Sequence, residues 1–144
     1  VYSIVSNLNI DAIMLLQPTA PIRTGKNIDD AIRLLNKNPN IDSVISVVEM
    51  NDVHPARMYW KKMNKLSPIM PNLSNLQRQQ IPSAYYRNGS IYLIRKEAFM
   101  LNKSFFTSSV YPYIMPYNWL LNIDEKRDII IAESLISAWK KNIL

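Results

Sequence analysis

The 144-residue sequence contains no cysteine, which excludes disulfides, thiolate nucleophiles and cysteine-bound metal together. It contains one histidine, His54, too few for a histidine-rich metal site. Its two glycines, Gly25 and Gly89, stand far apart. A triphosphate is usually held by closely spaced backbone N–H groups in a glycine-rich turn at a helix N-terminus, and these two glycines supply no such turn. No apolar run approaches the roughly 18 residues needed to span a bilayer. No basic segment followed by an apolar stretch marks a secretory leader. These absences predict a soluble, cytoplasmic protein with no membrane partner.

What is present fits one globular domain. The hydrophobic content of 48% is ordinary for a packed core and argues against disorder. The formal net charge of +6 admits nucleic acid, an anionic surface or small anionic ligands as partners. The basic pairs Lys61-Lys62, Arg95-Lys96 and Lys140-Lys141 are scattered along the chain, without the clustered stripe of a nucleic-acid binder. A solvated basic surface or a preference for phosphate and carboxylate ligands both remain open; no nucleic-acid partner is expected.

Along the chain, Ala12 to Leu16 is a short apolar run ending at Gln17-Pro18, which predicts a buried strand. Thr24 to Asn38 is helical by period, with Ile28, Ala31, Ile32 and Leu35 on one face. Thr24 is the candidate cap, Asp29 and Asp30 favour the positive end of the helix dipole, and Asn38-Pro39 is the stop. Ser43 to Val48 is a β-branched strand, so strand, helix and strand read as a βαβ unit of a parallel sheet. Residues 51–83 carry Pro55, Pro68, Pro71 and Pro82 and no sustained period, which predicts an excursion from the core. Asn88-Gly89 predicts a turn into a strand over Ser90 to Ile94. Lys96 to Leu101 has room for one or two helical turns, Tyr111 to Met115 reads as a strand, and a helix follows from Asp124. Its apolar face carries Ile129, Ala132, Leu135, Ile136 and Trp139.

Four clusters can carry chemistry. In the first, Gln17 and Thr19 offer hydrogen bonds and Arg23 a forked positive charge, at the strand end where a doubly wound sheet binds ligands; a rigid proline turn is the simpler reading. The second is His54-Pro55-Ala56-Arg57, where a lone histidine is not taken as a base. The third joins Arg78 to Tyr85, Tyr86 and Arg87, arginines among aromatics that suit a carboxylate or phosphate. The fourth is Asn122-Ile123-Asp124, an oxygen-rich pair two residues apart on an extended segment, suited to Mg²⁺. A plain helix cap at Asp124 is the simpler reading of that cluster and the one the residues alone favour.

Together these segments resemble a known family. LLQPTAPIR resembles the LLQPTSPLR motif of the N-acylneuraminate cytidylyltransferases, and RQQIPSAYYRNGSIYLI resembles their RQxLPxxYxxNGAIYI segment. NKSFF is similar to their paired-phenylalanine segment, and NIDEKRDIIIAESL to the closing DIDTExDLxxAExL element. The four stand in family order from about Asp11 to the end of the chain.

The resemblance implies an α/β, Rossmann-like nucleotidyltransferase fold, truncated at the N-terminus, with a dimerisation arm. Residues 1–144 would form one partial domain, with 51–83 and roughly 96–110 as arm and sugar-pocket insertion. The implied reaction joins CTP and a sialic-acid-like nonulosonic acid into a CMP-sugar, releasing pyrophosphate, with Mg²⁺ and a homodimer. By the same resemblance, Gln17, Thr19, Arg57, Arg78, Tyr92, Phe105 and Phe106 bind substrate, part of the set across the dimer. Asp124 and Arg23 are the candidate catalytic residues, and Asp124 and Asn122 the metal ligands. Asn122 stands where the family has an aspartate, keeping an oxygen and losing a charge. The family's glycine-rich CTP loop is not found here, so this chain alone is expected to be inactive. The alternative is a non-catalytic dimerising relative, or a fragment, that binds an acidic sugar without CMP transfer.

Overall fold

In the computed structural model, which describes residues 2–50 and 52–144, ten regular elements follow one another. They are α1 (Tyr2–Val5), β1 (Ala12–Leu15), α2 (Gly25–Lys37), β2 (Ser43–Glu49), β3 (Tyr59–Lys62), β4 (Lys65–Pro68), β5 (Tyr85–Arg95), α3 (Lys96–Asn102), β6 (Val110–Ile114) and α4 (Lys126–Lys140). Single 3₁₀ turns occupy Pro55–Arg57, Arg78–Gln80 and Tyr117–Trp119. The chain divides into a larger unit, residues 1–48 and 87–144, and a smaller one, residues 49–86. Among the described residues no helix is long and apolar enough to cross a membrane.

The larger unit is built on a four-stranded sheet in the order β1-β5-β2-β6. β1 pairs antiparallel with β5, from Ala12 opposite Arg95 to Leu15 opposite Tyr92. β2 pairs parallel with β6, from Ser43 opposite Val110 to Val47 opposite Ile114. The sheet is therefore mixed. The strand-helix-strand order of β1, α2 and β2 is as expected, but the two strands are not neighbours, because β5 lies between them. The apolar run of β1 is half-buried and not buried: it stands at the sheet edge, and Leu15 is exposed. β2, an interior strand, is buried from Ser43 to Val48.

Alternation along the strands divides the core. Ile91 and Leu93 of β5 and Val44 of β2 pack against Ala31 and Leu35 of α2, with Ala12 and Met14 of β1 at the margin. The intervening Ile94 meets Val5, Ala98 and Phe99, and Tyr92 meets Ile45 and Val47. Residues 96–110 thus begin with a helix, α3, whose Ala98 and Phe99 are core residues of the larger unit. Ser46, buried in β2, is satisfied: its hydroxyl donates to Asn88 Oδ1 at 2.6 Å and accepts the Ile91 N–H at 2.7 Å.

Both ends of α2 are fixed by side chains. Thr24 caps it in a reciprocal box: Asn27 N–H donates to Thr24 Oγ1, and Thr24 N–H to Asn27 Oδ1 at 2.7 Å. Asp29 and Asp30 fall beyond the first turn, so they do not serve its dipole as expected. Asp30 instead takes Lys26 at 2.7 Å and Arg33. At the other end Arg95 donates to the Leu35 and Asn38 carbonyls at 2.6 and 3.2 Å, and to Ile41 at 2.9 Å. One of the scattered basic pairs is thereby partly structural.

Two further expectations change. Asn88-Gly89 is not a turn: both residues lie inside the eleven-residue β5, with Gly89 at φ +77°. The last helix is capped by Glu125, with Asp128 returning the bond, and not by Asp124. α4 packs Ala132, Leu135, Ile136 and Trp139 around Ile22, Leu121 and Trp119, while Ile129 stays exposed. The indoles of Trp119 and Trp139 meet edge to face at 5.9 Å.

The smaller unit replaces the expected irregular excursion with a hairpin; Asn51, where that excursion was to begin, lies outside the described residues. β3 and β4 pair from Tyr59 opposite Pro68 to Lys62 opposite Lys65. The connection is Met63-Asn64, with Met63 at φ 51°. Asn-Gly would have announced such a turn; methionine in the left-handed region gives no signal. Arg57 holds the return path, donating from Nη1 to the Ser74 carbonyl and from Nη2 to that of Leu76, both at 2.5 Å.

Candidate functional site

The segment after β1 becomes a rigid loop through its own arginine. Arg23 Nη1 donates to the Gln17 carbonyl at 3.0 Å and to the Ala20 carbonyl at 2.7 Å. Burial lowers the Arg23 pKa from its ordinary value. Ala20 and Ile22 are buried, Gln17 is half-buried and Thr19 is exposed. The Thr19 carbonyl accepts the Ile123 N–H at 2.9 Å, which joins this loop to the approach to α4. Arg23 is therefore the staple of the loop, and Gln17 and Thr19 are what the loop presents.

Three segments distant in sequence meet there. A Cβ on Gly89 would fall 2.5 Å from Gln17 Oε1, 3.3 Å from the Ala20 methyl and 3.5 Å from the Asn122 amide. Gln17 thus lies directly on the Gly89 backbone, with Asn122 beside it. Asn88, fully buried, is held by Ser46 on one side and by a bond from its Nδ2 to Met115 Sδ at 3.3 Å on the other. Asn88 and Gly89 were legible only as a turn; their part in the site comes from this convergence.

Of the expected metal pair, the two members differ. Asp124 is exposed, and its backbone N–H donates to Asp128 Oδ2 at 3.0 Å. That bond and the stronger one from Glu125 N–H hold the Asp128 carboxyl below its ordinary pKa, the Glu125 bond contributing most. Asn122 is half-buried, with the carbonyls of Asn88 and Leu121 3.2 Å from one arm of its amide; hydrogen-bond chemistry assigns the nitrogen to that arm, since the opposite orientation would set oxygen against oxygen. Among the described residues no three acidic or histidine side chains are grouped to hold a metal. Asp124 offers an exposed carboxylate of the kind a hard cation takes.

A second cluster is aromatic. Tyr92 meets Phe105 at 6.4 Å and Phe106 at 5.8 Å, both edge to face, and Phe105 also packs on Phe99 at 5.3 Å. Tyr92 is buried and Phe105 half-buried, so both are first of all core residues. Phe106 is exposed and lies under the Arg87 guanidinium, 4.3 Å from the ring centroid. Arg87 was noted among aromatics but not placed in the expected site; its signal was the phenylalanine pair downstream.

The third group belongs to the smaller unit. His54, Arg57 and Arg78 line a cavity of about 230 Å³ together with Glu49 and Asp52. Arg78 reaches Asp52 at 3.8 Å, and the Arg57 guanidinium is engaged by carbonyls as described above. The His54 ring accepts the Ala56 N–H at Nδ1, so its proton sits on Nε2 and is donated to the Pro82 carbonyl at 2.9 Å. Both nitrogens are thus engaged by the backbone.

These features define a mixed α/β protein in which polar segments distant in sequence meet at Gly89 of β5. No family model matches the chain. Among curated proteins it is 31% identical over 118 residues to the N-acylneuraminate cytidylyltransferase of Streptococcus agalactiae serotype V, covering 81% of this chain and 28% of that protein. It is 29% identical over 122 residues to the enzyme of the same name from Escherichia coli O18:K1:H7, covering 85% of this chain and 29% of that one. Similarity at 25% over 141 residues extends to the post-translational flagellin modification protein B of Campylobacter coli, 55% of which is spanned. The chain belongs to the N-acylneuraminate cytidylyltransferase family. It spans under a third of the streptococcal and Escherichia coli relatives.

Proposed function

We propose that the intact protein is a cytidylyltransferase of Rossmann-like nucleotidyltransferase fold, acting in the cytoplasm as a homodimer. Its substrates are CTP and a sialic-acid-like nonulosonic acid. The sugar's anomeric hydroxyl oxygen forms a bond to the α-phosphorus as the bond from that phosphorus to the β-phosphate oxygen breaks. Pyrophosphate leaves, and the hydroxyl proton passes to solvent. The observation that supports this reading is the packing of Gln17 on Gly89 beside the Thr19 loop, which unites two family-like motifs in one place.

In this reading Gln17 and Thr19 hold the sugar acid, and Tyr92, Phe105 and Phe106 shape its pocket. Arg57 and Arg78 supply charge complementary to a carboxylate, and Arg23 sets the loop from behind. Magnesium belongs to the reading as an ion brought by the triphosphate, neutralising phosphate charge, with the Asp124 carboxylate as the protein's contribution. A second reading, a dimerising relative or fragment that binds an acidic sugar without CMP transfer, is favoured by one observation: the only two glycines form no phosphate loop.

The test is pyrophosphate release from CTP with sialic and legionaminic acids, by this chain and by one extended upstream to the length of its relatives. Turnover only in the extended chain is the expected result. Turnover by neither, with retained binding of the acid, would establish the second reading. Metal-dependent turnover by the short chain would mean that the nucleotide site lies within these residues.

A further inference from the structure

The position of Asn122 demands a hydrogen-bond donor. One arm of its amide stands 3.2 Å from the carbonyl oxygen of Asn88 and 3.2 Å from that of Leu121, and only with the nitrogen on that arm are both carbonyls met by a donor. Both are backbone acceptors, and neither can give a proton. An aspartate has the same shape but no donor when ionised, so it would set a carboxylate oxygen against two carbonyl oxygens. Asparagine supplies the donor that an ionised aspartate cannot.

We infer that Asn122 is a positioning residue, a donor lock and not a metal ligand. One of its bonds holds the Asn88 carbonyl, immediately before Gly89; the other holds its own segment at Leu121. Gly89, at φ +77°, depends on being held, and Gln17 and Ala20 rest on it. One residue further on, Ile123 N–H grips the Thr19 carbonyl. The lock therefore sets β5 and the Gln17–Thr19 loop relative to each other through one short segment. The inference rests on hydrogen-bond chemistry alone and holds whichever reaction the intact protein carries out.

The test compares Asn122→Asp with Asn122→Ala in the full chain, by thermal unfolding at neutral pH with and without millimolar magnesium chloride. Loss of packing alone would make alanine the worse change, because aspartate preserves the shape. The donor lock makes Asn122→Asp at least as damaging as Asn122→Ala, with Tm lower by about 4 °C or more and no recovery in magnesium. An Asn122→Asp protein more stable than Asn122→Ala, or one that magnesium restores, overturns the inference. A measurement on the wild-type chain keeps the test open should neither variant fold. In ¹⁵N-labelled protein the Asn122 side-chain amide protons should exchange slowly with solvent, as donors to two carbonyls do, with or without magnesium. Exchange as fast as that of an exposed side-chain amide would overturn the donor lock.

Discussion

Gly89 concentrates two constraints on one residue. Its φ of +77° lies where an L side chain is strained, and the space a Cβ needs is taken by Gln17 and Ala20. The Gln17 amide is the end of a flexible side chain and can move; the backbone angle cannot be relieved so easily. Gly89→Ala is therefore expected to cost about 1–2 kcal/mol from the left-handed conformation and to displace Gln17 from its place. Urea unfolding would measure the first effect and binding of the sugar acid the second. A variant as stable as wild type with unchanged affinity would show that neither constraint matters. The sequence marked Gly89 as special but for the wrong reason: Asn-Gly is the strongest short turn signal, and nothing local says that it sits inside a strand.

At the scale of elements, α2 shows how much a short stretch can specify by itself. Its cap, its period and its stop are all written between Thr24 and Asn38, and the helix forms between those bounds. What the stretch did not reveal is the duty of Asp30. Hydrogen bonds from Lys26 first, and Arg33 next, hold its carboxyl below the ordinary pKa. The anion is thus favoured in the folded chain. The stability it lends is present above the unfolded carboxylate value of about 3.9 and fades as pH falls through the lower folded value. Asp30→Asn should be less stable than wild type at neutral pH, and the two should converge only once pH has fallen below the lowered folded value, where both side chains are neutral. A gap that persists unchanged in acid would assign the effect to something other than charge. The β3–β4 hairpin is the opposite case, since the residue in its left-handed position is Met63, which gives no turn signal, and only the pairing of the two strands reveals it.

For the whole molecule, association is the open property on which the proposed function leans. Trp60, Met63 and Leu66 of the hairpin region are 66%, 83% and 67% exposed, and apolar surface of that kind is usually covered by a partner. The expected partner is a second copy. Sedimentation at micromolar concentration should find a dimer, and Trp60→Asp should weaken it by about tenfold or more, since buried aromatics dominate such interfaces. A wild-type monomer would remove the dimer from the proposed function while leaving the family assignment untouched.

The sequence by itself determined α2, α4, the interior strand β2 and the family. Those rest on local periodicity, caps and ordered motifs, each of which acts within a few residues along the chain. It also brought Gln17, Thr19 and Asp124 forward as candidates before any coordinates were considered. Only the tertiary structure decided that β5 enters between β1 and β2, that Asn88 and Gly89 belong to a strand, and that Arg23 staples its own loop. Only it decided that Asn122 faces two carbonyls. Arg23 turns back on carbonyls within six residues of itself; the other three share one physical reason. Strand neighbours and the partners of a buried polar group are chosen by segments far apart in sequence, and each group must find its complement wherever folding places it.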